Sequence, residues 1–305
     1  MIVRPAQHWF TRLFAWHGSV MSKIYSRLLL NLLLSLILLG VYSWYESLHV
    51  KITLAPFSLL GIAIAIFLGF RNSASWARYC EARQLWGSLL INCRSLMREV
   101  ITLFPNDAHY QQSLKNDLLA FCYCLNYQLR HKPVAAVLQR FIELPVATFV
   151  NTQQTPCNRL LLIMGEKVAE ARRSGRISDI LYQNLNAHLN QLSGILGGCE
   201  RIANTPVPFA YSLILHRTVY AFCTLLPFAL INQIHVFTPM VSVFISYTFI
   251  SLDTLAEELE EPFGTEANDL ALDAICNTIE IELCQMAGDS HCPAKMYPDK
   301  QHRLT

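Results

Sequence analysis

The chain has 305 residues, of which 53% are hydrophobic and 15% charged, against about 25% charged in an ordinary soluble domain. Its formal net charge of +2 is too small to argue for a nucleic-acid partner. A soluble globular domain is excluded, and what matters is where the charge sits.

The leader 1–27 carries Arg4, Arg12, Lys23 and Arg27 and no acidic residue. Leu28–Tyr45 follows without a charge; as a helix it covers roughly 27 Å, close to the hydrocarbon thickness of a bilayer. It is too long for the apolar part of a cleavable signal peptide and is followed by no small-residue cleavage site. Tyr42, Trp44 and Tyr45 at its outer end fit an interfacial aromatic belt. The polar break Glu46–Leu54 holds Lys51 as its single basic residue.

Ala55–Phe70 is the second apolar stretch. Gly61, Ala65 and Gly69 recur every fourth residue and share one stripe; Ile62, Ile66 and Phe70 form a second stripe beside it. Small residues let helix backbones approach closely where lipid supplies no hydrophobic drive. By spacing alone, the bulky stripe faces lipid, a core or an aqueous path.

The segment 71–206 alternates apolar and polar residues at helical spacing, with Leu85, Leu89, Leu96 and Val100 near one face. Pro105, Pro133, Pro145 and Pro156 punctuate it, and Gly197-Gly198 predicts a helix stop. It also carries most of the lysines and arginines, among them Arg71, Arg78, Arg83, Arg94 and Arg98.

Phe209–Ile231 and Val236–Leu252 are the third and fourth apolar stretches, joined by Asn232–His235 without a Lys or Arg. His216 and Arg217 interrupt the third. Either the span begins near Thr218 and leaves them at the inner interface, or they form an inter-helix salt bridge or a pH-sensitive element. Pro208 and Pro227 predict kinks. Glu257, Glu258, Glu260 and Glu261 read as a solvated face or as inter-helix salt bridges, and the tail from Asp289 as loose.

The distribution of basic residues places both termini and the central segment in the cytoplasm. The expected organisation is therefore an all-α membrane protein with four transmembrane helices per subunit: a cytoplasmic leader 1–27, spans 1 and 2 within 28–70 (the second over 55–70), a helical cytoplasmic region 71–206, spans 3 and 4 within 207–252, and C-terminal helices and tail 253–305. Its ten cysteines read as reduced cytoplasmic or buried thiols. Nucleophile–base motifs, P-loops and dinucleotide fingerprints do not occur, so no enzyme is expected. A haem protein would need paired histidines, and His216 has no partner in the spans. A secondary transporter would show matching halves. A non-conducting membrane scaffold stays open.

The run "FLGFRNSASWARYCEARQLWGSLL", with Trp76, Arg78, Tyr79 and Trp86, resembles the bestrophin family. "NTPVPFAYSLILHRTVYAF" (Asn204–Phe222) and "LAEELEEPFGTEANDL" (Leu255–Leu270, with Pro262-Phe263-Gly264) resemble its bacterial branch, in the family's order. The resemblance implies a homopentamer around a central pore in the bacterial inner membrane. Ile62, Ile66 and Phe70 would form an apolar neck, and Gly61, Ala65 and Gly69 would let the helices crowd round the axis. Ile180, in "GRISDILYQNL", would ring a cytoplasmic constriction, or else be one more core position. Animal members carry a dense acidic calcium clasp after the Pro-Phe-Gly; here Glu266 and Asp269 are what remains, a possible weak metal pair, so calcium dependence is not expected and no cofactor is implied. Animal members conduct anions and have more phenylalanine in the neck, whereas the bacterial branch is associated with monovalent cations. The expectation is a cation-preferring channel for ions such as sodium or potassium, its charge bias drawn from Glu81, Asp179 or Glu200; the alternative is an anion (chloride) channel of the same architecture.

Overall fold

The computed structural model describes residues 1–4, 8–10, 15–16, 18–47 and 53–305; Arg12 and Lys51 lie outside them. Among the described residues there is no β-strand, and eleven α-helices follow in order. They are α1 Met21–Gly40, α2 Tyr42–Ser47, α3 Leu54–Leu103, α4 Ala108–Leu129, α5 Ala135–Phe141, α6 Leu144–Asn151, α7 Pro156–Arg173, α8 Asp179–Asn204, α9 Phe209–Ile234, α10 Thr238–Glu260 and α11 Leu272–Ala287. The apolar stretches long enough to cross a membrane are Met21–Gly40, Leu54–Leu103 and Phe209–Glu260. The last of these is α9 and α10, separated by a 3₁₀ turn at His235–Phe237 in which His235 takes a positive φ of 42°. Phe222 stacks edge-on against Phe249 across the pair, so the two helices run antiparallel.

Contacts divide the chain into two compact units. One comprises 4–79 and 206–261. Its core is apolar: Ile24 and Leu28 of α1, Ile64 and Leu68 of α3, Val219, Phe222 and Leu226 of α9, and Ile250 of α10. Polar residues are buried in the same unit, among them Asn31, Ser35, Ser242 and Ser246. Asn31 donates to the Cys223 carbonyl at 2.7 Å and accepts from the Ser242 hydroxyl at 2.9 Å, which satisfies a buried amide that would otherwise cost a few kcal/mol.

The first helix starts earlier than its apolar run, at Met21, and ends at Gly40 rather than Tyr45. Tyr45 is buried against Phe228 and Tyr42 meets the His235 ring, so of the expected aromatic belt only Trp44 is exposed. The tyrosines are drawn inward because α2 folds back over α9.

The other unit comprises 1–3, 80–205 and 262–305. Leu89, Leu96 and Val100 of α3 are buried together with Trp86, Leu114, Leu118 and Phe121. Its helix starts follow local chemistry. Asp107 caps α4 by accepting from the Tyr110 amide at 2.9 Å, Ser178 caps α8, and Pro145 and Pro156 occupy the first turns of α6 and α7, where no amide donor is needed.

Two expectations are overturned here. Gly197-Gly198 does not stop α8, which runs on to Asn204. Gly198 instead admits Leu85: a β-carbon there would lie 2.9 Å from both Leu85 methyls. The tail is not loose either. Met296 donates its amide to Asn277 at 2.9 Å, Ala274 donates to the Thr305 carbonyl at 2.8 Å, and Ile2 and Arg303 form an isolated antiparallel bridge. Backbone pairing and the Asn277 side chain hold a segment with no helical periodicity, so periodicity alone did not reveal it.

Candidate functional site

Helix α3 carries the site, and its packing follows from the order of its residues. Ile64, Leu68, Arg71 and Ser75 are buried; their spacing of three and four residues places them on one face. On other faces Ile62, Ile66 and Phe70 project outward, 61%, 53% and 65% exposed. An apolar row on the outside of a subunit must be covered by lipid, by another subunit or by a dewetted path. Of the small-residue stripe, Gly61 meets the chain itself, with the Phe222 ring 3.4 Å from where a β-carbon would sit. Ala65 and Gly69 are exposed.

The rotation of α3 is fixed where the apolar run ends. Arg71 is buried directly after Phe70 and donates to Asp253 of α10 at 2.5 Å. The same carboxylate bonds His216 Nδ1 of α9 at 2.8 Å. Arg71 also lies 3.7 Å from Glu260, whose carboxylate accepts from the Val207 amide at 3.1 Å. Asn72 completes the join, donating to the Leu252 carbonyl at 3.1 Å. His216 therefore takes part in an inter-helix polar contact within α9, which begins at Phe209. Glu258 pairs with Lys23 at 3.0 Å, so two of the four glutamates join helices rather than face solvent. Sequence reasoning missed Arg71 and Asp253. The available signal was that each is the first charge after a long apolar run.

In the other unit, Ile180 sits on the first turn of α8 and is 73% exposed. Asp269 is buried and accepts from the Glu266 amide at 2.6 Å, closing a turn. No group of three or more His, Cys, Asp or Glu side chains is placed to hold a metal among the described residues. The three acidic residues considered for the charge bias all have partners: Glu81 pairs with Arg201, Asp179 with Arg172 at 2.6 Å, and Glu200 accepts from Gln128 at 3.0 Å. The thiols of this unit are mostly buried; burial pushes the Cys199 thiol up to about 12.

A nearly all-helical chain with membrane-length apolar helices, joined by a buried arginine–carboxylate pair to which His216 adds a hydrogen bond, is a multi-helix membrane protein. The profile of the family described as Bacterial/Fungal Bestrophin protein matches residues 1–285. The chain belongs to the bestrophin family, a family of ion channels. It is 58% identical over 305 residues, covering 100% of both chains, to the voltage-dependent anion channel-forming protein YneE of Salmonella typhi. It is 41% identical over 292 residues, 95% of each chain, to the voltage-dependent anion channel-forming protein RSc3414 of Ralstonia nicotianae. A solved bacterial bestrophin homologue from Klebsiella pneumoniae superposes with a TM-score of 0.86 at 53% identity, covering 88% of this chain and 100% of that one. The cation preference expected from the neck isoleucines has no support in YneE and RSc3414, which are named for anions.

Proposed function

We propose that this chain is one subunit of a homopentameric channel for small monovalent ions in the bacterial inner membrane. In this reading α1, the first part of α3, α9 and α10 are four spans, and both termini and the helical unit between the second and third spans lie in the cytoplasm. Five copies of α3 surround the axis. The observation that carries it is the outward row Ile62, Ile66 and Phe70 on a helix whose buried face is anchored by Arg71. Ala65 and Gly69 leave room beside that row for the neighbouring helices. A narrow tube of isoleucine offers water no hydrogen bonds and conducts only when widened. Ile180 forms a second ring at the cytoplasmic exit.

The relatives' names favour anions over cations. Phe70 fits that choice, since the edge of an aromatic ring is electropositive. Arg201 and Arg172 offset part of the negative charge of Glu81 and Asp179 that a cation preference would draw on, while Glu200, bonded by the neutral Gln128 amide, keeps its own. Calcium has no part in the proposal: it takes six to eight oxygen ligands, and Asp269 is already engaged by its own turn.

The test is the reversal potential of the purified protein in a planar bilayer under a salt gradient, for the native chain and for Ile66→Phe. A potential favouring anions that shifts with the substitution is the expected result. A potential favouring cations keeps the channel and overturns the anion assignment. No current from folded protein across voltage overturns the channel and leaves the membrane scaffold.

A further inference from the structure

His216 and Arg217 are neighbours in α9 with opposite fates. His216 turns inward to Asp253. Arg217 is exposed, and among the described residues no carboxylate lies within ion-pair distance of it. It borders a groove of about 360 Å³ between the start of α3 and α9, whose walls are otherwise mostly apolar: Phe57 and Leu60 on one side, Ala221, Phe222 and Leu225 on the other. An arginine within a membrane helix needs a counter-charge or a route to the interface.

We propose that this groove binds one phospholipid of the inner leaflet with an anionic headgroup. Its phosphate meets the Arg217 guanidinium and one acyl chain lies along Leu60, Phe57, Ala221 and Leu225. This rests on the topology proposed above, with Phe209 on the cytoplasmic side and the third span entering the membrane near Thr218, which leaves Arg217 at the inner interface. Given that orientation, the geometry is consistent in three respects. Side chains on a helix lean toward its N-terminus, so the guanidinium points to the cytoplasmic interface while its stem borders the groove. From Arg217 to Leu225 the helix rises roughly 12 Å, a little less than one leaflet of a core about 30 Å thick. Basic pockets between helices on the cytoplasmic side suit anionic headgroups, and among the described residues no carboxylate pairs with Arg217 to compete.

The experiment is thermal unfolding of the full-length protein, purified in a neutral maltoside detergent, with dioleoylphosphatidylglycerol or dioleoylphosphatidylcholine added at equal concentration. The anionic lipid is expected to raise the Tm by a few degrees more than the zwitterionic one. That difference should vanish in Arg217→Gln, persist in Arg217→Lys and be unchanged in Lys300→Gln. Ala221→Trp, which fills the groove and keeps the arginine, should also abolish it and serves if Arg217→Gln does not fold. Equal effects of the two lipids on the native chain overturn the proposal, as does a difference that survives both groove variants. If Arg217→Gln instead dissociates the oligomer without altering the lipid response, a second copy of the chain covers the groove and the lipid is ruled out. Current in a bilayer of phosphatidylcholine alone reports on the channel separately, so the two proposals fail by different signs.

Discussion

Arg71 and Asp253, each the first charged residue after a long apolar run, meet in a buried ion pair at 2.5 Å. Two helices that share no sequence neighbourhood are thereby locked in rotation and depth, and Phe70, next to Arg71, is held on the outside of the subunit. Removing one partner leaves an uncompensated buried charge, which costs about 3–5 kcal/mol. Asp253→Asn should lower stability by up to about that much in detergent unfolding, since it deprives His216 and leaves Arg71 only the longer contact to Glu260. The double variant Arg71→Met/Asp253→Leu should be less destabilised than the sum of the two singles. Additive losses would show that the pair is not coupled.

The exposed row on α3 predicts an effect on current rather than on stability. Ile66→Ser removes little buried surface from the subunit but places a hydroxyl where the proposed neck is driest. Basal current in bilayers should rise several-fold with little change in Tm. A current equal to that of the native protein would place Ile66 away from the conducting path.

Neighbouring glycines in α8 should answer differently to the same substitution. Gly197→Ala meets open space and should gain up to about 1 kcal/mol from helix propensity. Gly198→Ala must displace the Leu85 methyls, which offsets that gain. Gly198→Val should overpack the contact by about 1–3 kcal/mol. Denaturant midpoints of the three variants check the order.

Asp117 is buried beside Lys167, whose ammonium donates to it and to the Ser113 hydroxyl at 2.5 Å. Burial holds its carboxyl above the ordinary range, against the opposing pull of the lysine. The folded state therefore binds this proton more tightly than the unfolded chain. The resulting stability is fully present below the unfolded value of about 3.9 and is lost as pH rises through the raised folded value. Asp117→Asn lacks that loss, so its Tm relative to the native protein should climb between about pH 4 and neutrality. A flat difference across that range would contradict the assignment.

Thiol labelling should be selective. Of ten cysteines, Cys292 is exposed and Cys80 partly so, while the others are buried. A maleimide should modify Cys292 quickly in the folded protein and Cys199 only on unfolding, because burial keeps the latter protonated. Rapid native labelling of Cys199 would mean that α8 opens.

Much was legible in the chain because it rests on local regularities. The long uncharged runs, the helical spacing of Leu89, Leu96 and Val100, and the stripe Ile62–Ile66–Phe70 all follow from side-chain chemistry at fixed helical period. The blocks around Trp76 and Pro262-Phe263-Gly264 were enough to place the chain in its family. Three features escaped because distant segments decide them. Gly198 reads as a stop until Leu85 is found against it. The tail has no periodicity, yet the Asn277 side chain and the backbone groups of Ala274 and Ile2 tie it down. Asp253 reads as the edge of a span until Arg71 and His216 arrive from two other helices. Amino-acid order by itself determined that the chain is helical, membrane-embedded and apolar along one outward face. Which charges are paired, and hence how α3 is turned, was decided only by tertiary structure, because a buried charge is tolerated solely where another part of the chain comes close enough to neutralise it.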